Sequence, residues 1–457
     1  MNKTTRLTAF ILSILMLLSL CACGSKSDSA ATVPAAASSG ENESAPEATE
    51  APYTGGSVYY INSDPSADAA WQQLASAYTA ATRVPVTVKT ISENYDSALS
   101  AEIDSADAPT AFAVNKDNYK LWKESCLDLS GTDLYSRLLS SDLAMIEDDG
   151  KVGAAAYTYD CCGILVNTDL LAKAGYSVDD IKNFSMFDEV LDDITTRKNE
   201  LGFGAVAAPE LTEDTWHYTE CVMSVPLFYE FKEEGYEGTP ASIYGKYSEL
   251  FRNMWDAYIE NCVTAVTRWH LDTLNADENH RIFGEQEAAF AIMASWEIED
   301  YTDAYGLDRS KVTMLPFYCG YREEENAGLS CGNIEYWCVN READADDVEA
   351  TLAFLAWAVG AEGGAQTLTE TYGIIPYAGA PEGSNPCLNA ANAAFAAGKY
   401  NIGWVWDLYP DEQLEEDVLH YMINYTVGIN AGENQWYDIA ETLRTHWHTL
   451  FEQNNVY

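Results

Sequence analysis

The chain has 457 residues, with 72 Asp or Glu against 25 Lys or Arg, a formal net charge of −47 and a sequence pI of about 4.1. Apolar residues make up 47% and aromatics 12%, which is enough for a large packed core and too much for a disordered chain. This acidity excludes sequence-independent binding to nucleic acid and docking on anionic lipid through a basic patch, because both need clustered Lys and Arg.

Lys3 and Arg6 open the chain, and Leu7 to Leu20 is an apolar run of signal-peptide length, short for a spanning helix. The run ends in Leu20-Cys21-Ala22-Cys23-Gly24, which resembles the lipobox of bacterial lipoproteins, where cleavage precedes a Cys that then carries diacylglycerol. Residues 1–22 are expected to be a lipoprotein signal peptide, with Cys23 as the lipidation site; an ordinary secretory signal is the alternative. Gly24 to Gly56 is Ala, Ser, Pro, Thr and Glu, with Val33 and Tyr53 its only large apolar side chains. Such a stretch cannot offset its ordering entropy, so residues 23–56 read as lipid anchor and flexible tether. Nearly all the negative charge therefore lies on the body that starts at about Ser57.

The cysteines are Cys21, Cys23, Cys126, Cys161, Cys162, Cys221, Cys262, Cys319, Cys331, Cys338 and Cys387. Their spread over a large body is not a disulfide framework, and without a C-x-x-C pair neither a zinc ribbon nor a thioredoxin-type site has support. Most read as small buried apolar residues, with one or two disulfides open to an exported protein.

Along the body, Val58 to Ile61 predicts a strand, and Asp64-Pro65 a helix start. Trp71, Leu74, Ala75 and Tyr78 recur at helical spacing. Strands are expected at Pro85 to Ile91, Ala111 to Val114, Gly163 to Val166, Ala288 to Met293, Val312 to Leu315 and Ile334 to Val339. Ser185 offers a capping-box start for a helix through Val190, Leu191 and Ile194. Val348, Leu352, Leu355, Ala356 and Val359 form another helical stripe, and Glu412 to Gln453 is mostly helical in pattern. Strands alternating with helices predict open, largely parallel sheets covered on both faces.

The order of these pieces resembles the family 1 extracellular solute-binding proteins of ABC importers, in their carbohydrate-type, maltose-binding-protein-like form. Val58 to Asp64 resembles the family's first strand and binding loop. Asp107-Ala-Pro109-Thr-Ala-Phe112 is similar to its G-x-x-P-D segment, with Thr110 where Asp is usual. The run from Asp160 through Asn167-Thr-Asp169 to Lys173-Ala-Gly175 resembles the segment entering the second lobe, and Phe187-Asp-Glu189 stands at its T-W-x-E position. Phe283 to Trp296 resembles F-x-x-G-x-A-A-M followed by G-x-W, and Ala353-Phe354-Leu355 and Gly373-Ile-Ile-Pro376 resemble the late helix and its end.

The resemblance implies an α/β, two-lobed periplasmic-binding-protein-like fold (type II), with an interlobe ligand cleft and discontinuous lobes. Lobe one would be 57–160 plus 327–375, and lobe two 161–326 plus 376–457. It implies a non-enzymatic, monomeric binding subunit at the outer face of the bacterial cell membrane, held by lipid on Cys23, without cofactor or metal. It would close on an extracellular carbohydrate and deliver it to the membrane permease.

Sugar recognition needs flat apolar faces for C–H surfaces and planar hydrogen-bonding groups for hydroxyls. The positions that match are Asn62 and Asp64 in the first loop, Asp117 past the Ala111 strand, Asp160 at the lobe crossing, and Trp296 as the stacking residue. Glu335 and Trp337 read as rim contacts, with Trp216 and Tyr421 as further aromatic candidates. Each has a plainer reading: Asp64 as a helix cap, Asp160 as a solvated loop acid, and Trp216, Trp296, Trp337 and Tyr421 as core. Val114 stands where maltose-binding members carry a stacking Trp, which argues against a maltodextrin shape.

Two alternatives remain at this level. A cationic solute such as a polyamine would suit carboxylates and an aromatic box. An exported glycoside hydrolase or esterase is the other: Gly328-Leu-Ser330-Cys-Gly332 fits the nucleophile-elbow pattern, with Asp344 and His420 following in hydrolase order. Glu323-Glu-Glu-Asn-Ala precedes it where an elbow needs an apolar strand, so the segment reads as a small-residue loop leading into Ile334.

Overall fold

The computed structural model describes residues 55–212, 215–236, 238–428 and 436–454, all within one compact unit. The signal peptide, Cys23 and nearly all of the tether lie outside the described residues. No helix among the described residues is long and apolar enough to cross a membrane.

Ten strands form one sheet: β1 Val58–Asn62, β2 Val86–Thr90, β3 Ala111–Asn115, β4 Ala144–Ile146, β5 Val152–Asn167, β6 Gly204–Val206, β7 Ala288–Ala294, β8 Val312–Leu315, β9 Ala327–Val339 and β10 Tyr400–Gly403. The main path runs β2-β1-β3-β9-β5-β7-β6, with β10 on β9, and β4 and β8 on β5. The expectation of a largely parallel sheet is corrected here. β1 is parallel to β2 and β3, β6 to β7 and β10 to β9, but every pairing of β5, and that of β9 with β3, is antiparallel. The cause is the length of β5 and β9, 16 and 13 residues. β9 pairs with β3 through its C-terminal half and with β10 near its start, β5 pairs with β4 near its start and with β7 and β8 at its C-terminal end, and the two pair with each other in between. Their register shifts twice where they cross, between Ala156 and Thr158 and between Thr158 and Asp160.

The predicted strands at Gly163 to Val166 and Ile334 to Val339 are the apolar cores of these longer strands. Gly328 to Gly332, read from sequence as a loop, lies inside β9. Ser330 is fully buried opposite Cys162, its hydroxyl without a partner, so it does not project from an elbow. Asp344 caps the helix Ala345–Ala358 and His420 lies in the helix Gln413–Gly428; neither has a described contact with Ser330.

Period-two alternation sends successive side chains of β1 and β3 into different cores. Tyr60, Ala111 and Ala113 join Trp71, Tyr78 and Phe354 of the helices Asp68–Thr82 and Ala345–Ala358. Ile61, Phe112 and Val114 join Leu99 and Trp122 of the helices Tyr95–Ile103 and Lys116–Trp122. The expected stripe Trp71, Leu74, Ala75 and Tyr78 is buried as a unit. The helix expected to start at Ser185 starts at Phe184 instead, because Asn183 is its cap and accepts from the Met186 N–H. The nine described cysteines are all free; all but Cys262 are buried, and the Cys126 and Cys338 thiols face each other at 2.6 Å.

Candidate functional site

The site is built where strands end. Asn62 to Asp64 follows β1, Asn115 to Asp117 follows β3, Ser295 and Trp296 follow β7, and Trp404 to Asp407 follow β10. In α/β folds the ligand crevice lies outside the carboxyl ends of strands, where backbone groups and loops converge. A cavity of about 380 Å³ joins Lys116 and Asp117 to Asn333, Glu335, Trp404 and Asp407. A larger open depression of about 490 Å³ beside Lys198, Phe203 and Glu287 holds none of the aromatic cluster described next.

Four indoles form that cluster. Trp216 stacks on Trp296 at 5.3 Å and 24°, Trp296 meets Trp404 edge-on at 6.1 Å, and Trp404 stacks on Trp406 at 4.2 Å. Trp296 is 47% exposed, so a large part of its surface is open to a ligand. Trp404 is held by its indole N–H, which donates to the Ser330 carbonyl at 3.1 Å. This packing requires Gly332: a Cβ there would lie 2.1 Å from the Trp404 ring.

Carboxylates line the same region. Asp160 accepts from the Ser295 hydroxyl (3.1 Å) and from the Asn333 amide (3.3 Å), linking the crossing of β5 to the end of β7 and the middle of β9. Burial raises the Asp160 carboxyl, against those two hydrogen bonds. Burial, with the Asp64 carboxylate nearby, pushes Glu335 up to about 7. Asp407 is raised by burial and by Asp117, against the attraction of Lys116. Among the described residues, Lys116 is the only cation on the wall of the cavity.

The structure thus brings Trp216, Trp296, Asp160, Asp117 and Glu335 into one region, with Asp64 at its edge. Asp64 is also the helix cap: its carboxylate accepts from the Ser66 N–H at 2.8 Å. Three expectations are corrected. Asn62 is fully buried and spent on its own loop, donating to the Asp64 carbonyl (2.6 Å) and the Thr90 hydroxyl (3.1 Å). Trp337 is core: it is 0% exposed, stacks on Tyr157 at 4.8 Å and donates to the Tyr60 hydroxyl. Tyr421 packs near His420 and His446, and no described contact joins it to the four indoles.

Sequence reasoning missed Trp404, Trp406, Asn333 and Ser295. The signal for the first two was present: Gly403-Trp-Val-Trp406 follows a short strand, which is where a cleft residue belongs. Asn333 adopts a left-handed backbone (φ 47°) inside a strand, which the sequence does not announce.

Residues 73–382 match the model of a family described as bacterial extracellular solute-binding protein. The chain belongs to this family. Solved structures of such proteins share its fold. A family 1 extracellular solute-binding protein from Bifidobacterium longum subsp. infantis is 19% identical (TM-score 0.56), the match covering 86% of this chain and 100% of that one. The apo form of RafE from Streptococcus pneumoniae is 14% identical (TM-score 0.63; 88% and 99% covered). The solute receptor AcbH is 11% identical (TM-score 0.61; 87% and 99% covered) and is described as having an exclusive substrate preference for β-D-galactopyranose. Among curated protein sequences none matches significantly. This solute-binding protein accordingly has the two-lobed α/β fold class of the family, with the long strands β5 and β9 running between its halves.

Proposed function

We propose that this solute-binding protein captures a carbohydrate between Trp296, Trp404, Glu335 and Asp160 by hinge closure and delivers it to an ABC permease. The observation that carries this reading is the half-exposed indole of Trp296, in one region with the carboxylates of Asp160 and Glu335 and the amide of Asn333. An indole face suits the C–H surface of a sugar ring, and carboxylates accept from its hydroxyls. The preference of AcbH for β-D-galactopyranose supports a sugar as the ligand class. The proposed lobes are 57–160 plus 327–375 and 161–326 plus 376–457, which puts the hinge where β5 and β9 shift register. The proposal includes a signal peptide at 1–22, lipid on Cys23, a tether to residue 56, and a monomeric body at the outer face of the membrane.

One observation favours a second reading. Among the described residues, the cavity wall carries Asp117, Asp142, Glu335 and Asp407 against Lys116, which suits a cationic solute such as a polyamine. A thermal-shift screen of neutral saccharides and spermidine separates the two, since a ligand that binds only the folded state raises the melting temperature. The carbohydrate reading expects a shift with at least one saccharide. A shift with spermidine and with no saccharide would replace it with the cationic one.

A further inference from the structure

Beside Trp216 and the exposed Trp296 lies a charged group that ligand contact does not explain. The His217 ring is 1% exposed, with Nδ1 2.7 Å from Glu210 Oε2 and Nε2 2.7 Å from Glu297 Oε2. Both carboxylates are also tied elsewhere. Glu210 Oε1 accepts from the Asn279 amide (2.6 Å), and Glu297 Oε2 accepts from the Ala294 N–H (2.9 Å). Asn279 donates to the Tyr301 hydroxyl as well, and that hydroxyl donates to the Ile292 carbonyl.

A neutral imidazole has one N–H. It would satisfy one carboxylate and set a lone pair against the other. Only the doubly protonated ring meets both. Burial works against that charge, but the hydrogen bonds to Glu210 and Glu297 outweigh it and hold the ring's pKa at about 10. Glu220 on the same helix and Cys162 of β5 also face the ring, and Tyr301 couples to it through Glu210.

The clamp is joined directly to the indoles. Trp216 precedes His217 and Trp296 precedes Glu297 in the chain. The Trp216 ring lies on the His217 ring at 3.7 Å and on Trp296 at 5.3 Å, so imidazole, indole and indole form one stack. His217 opens a π-helix, His217–Val222, an insertion frequent at functional sites because it re-aims side chains within a helical run.

We propose that His217 is a positioning residue: as a buried imidazolium between Glu210 and Glu297, it fixes Trp216 and Trp296 as a rigid two-indole platform for the ligand. Glu210 follows β6 and Glu297 follows β7, so the clamp ties the π-helix to two strand ends. Only the platform's use by a saccharide rests on the function proposed above; the clamp is testable without any ligand.

Three measurements on the folded chain test it. In a long-range nitrogen-15 spectrum of histidine-labelled protein at pH 8, one buried ring is expected to carry both protons, and its signal to vanish in His217→Gln. The far-UV circular dichroism couplet of the stacked indoles, assigned by its loss in Trp296→Phe, is expected to weaken in His217→Gln and in the milder Glu297→Gln. Where D-galactose or raffinose binds the wild type, His217→Gln is expected to weaken it roughly tenfold, one stacking contact at about 1.4 kcal/mol per decade. Should His217→Gln fail to fold, Glu297→Gln and the wild-type spectrum decide. A neutral His217 at pH 8, or a couplet unchanged in the variants that fold, overturns the proposal. If neither sugar binds the wild type, the saccharide reading loses support while the two spectra still decide on the clamp.

Discussion

Replacing Trp296 with Ala separates a ligand-facing indole from a core indole. A Trp side chain offers on the order of 200 Å² of surface, and 47% exposure leaves roughly half of that to solvent. A sugar ring covers one face, on the order of 50 Å², which at about 25 cal/mol per Å² gives roughly 1.3 kcal/mol. The loss of C–H contact with the ring adds a few tenths more, so affinity should fall at least about tenfold. Stability should change modestly, because about half of the indole that is removed is already in water and Trp216 keeps its stack on His217. The assay is titration calorimetry with the tightest saccharide from the screen, paired with a melting curve of the unliganded variant. Unchanged affinity would remove Trp296 from the binding surface and refute the reasoning. A large fall in melting temperature would show that the residue is structural instead.

Trp337→Ala should do the reverse, costing about 3–5 kcal/mol in a chemical-denaturation midpoint, because it empties a fully buried site against Tyr157 and Trp71. Gly332→Ala should weaken ligand and destabilise the fold by about 1–3 kcal/mol, because its Cβ would drive the Trp404 ring out of place; a wild-type affinity and melting curve would contradict the packing. Glu335 titrates near 7 in the fold and near 4.5 when unfolded, so the folded state binds the extra proton between those values and loses stability as pH rises through them. The melting temperature of Glu335→Gln should therefore fall less steeply over that window than the wild type's; equal slopes would refute the assignment. Cys23→Ser should move the exported protein from the detergent phase to the aqueous phase on detergent partitioning, and continued membrane association would remove Cys23 as the anchor.

Local periodicity made most elements legible. Trp71, Leu74, Ala75 and Tyr78 lie three and four residues apart and form one buried stripe, and each short β-branched run became a strand. What periodicity could not show was the continuity of β5 and β9. Their central residues, Tyr157 to Cys161 and Ser330 to Asn333, mix polar, small and sulfur-bearing side chains because they cross from one half of the sheet to the other. The parallel-sheet expectation failed for the same reason, since alternation of strands and helices does not reveal two long antiparallel strands through the middle.

The site was half legible. Asp117, Asp160, Trp216, Trp296 and Glu335, named from the sequence because each sits at or near the end of an apolar run or at a motif position, fall in one region of the structure. Trp337 was misplaced because a Trp two residues beyond Glu335 in a strand shares its face without sharing its depth. Asn62 looked like a free hydrogen-bonding group, whereas its loop uses both of its polar atoms. The clamp around His217 was invisible because Glu297 is far from Glu210 and His217 in the chain and the three share no motif.

The central claim is that a carbohydrate lies among Trp296, Trp404, Glu335 and Asp160. A crystal structure of the complex with the tightest saccharide tests it most directly. The account predicts a sugar ring on the open face of Trp296, with hydroxyls donating to Glu335 or Asp160. A saccharide bound in the depression by Lys198 and Phe203, with the indole face of Trp296 left bare, would contradict it.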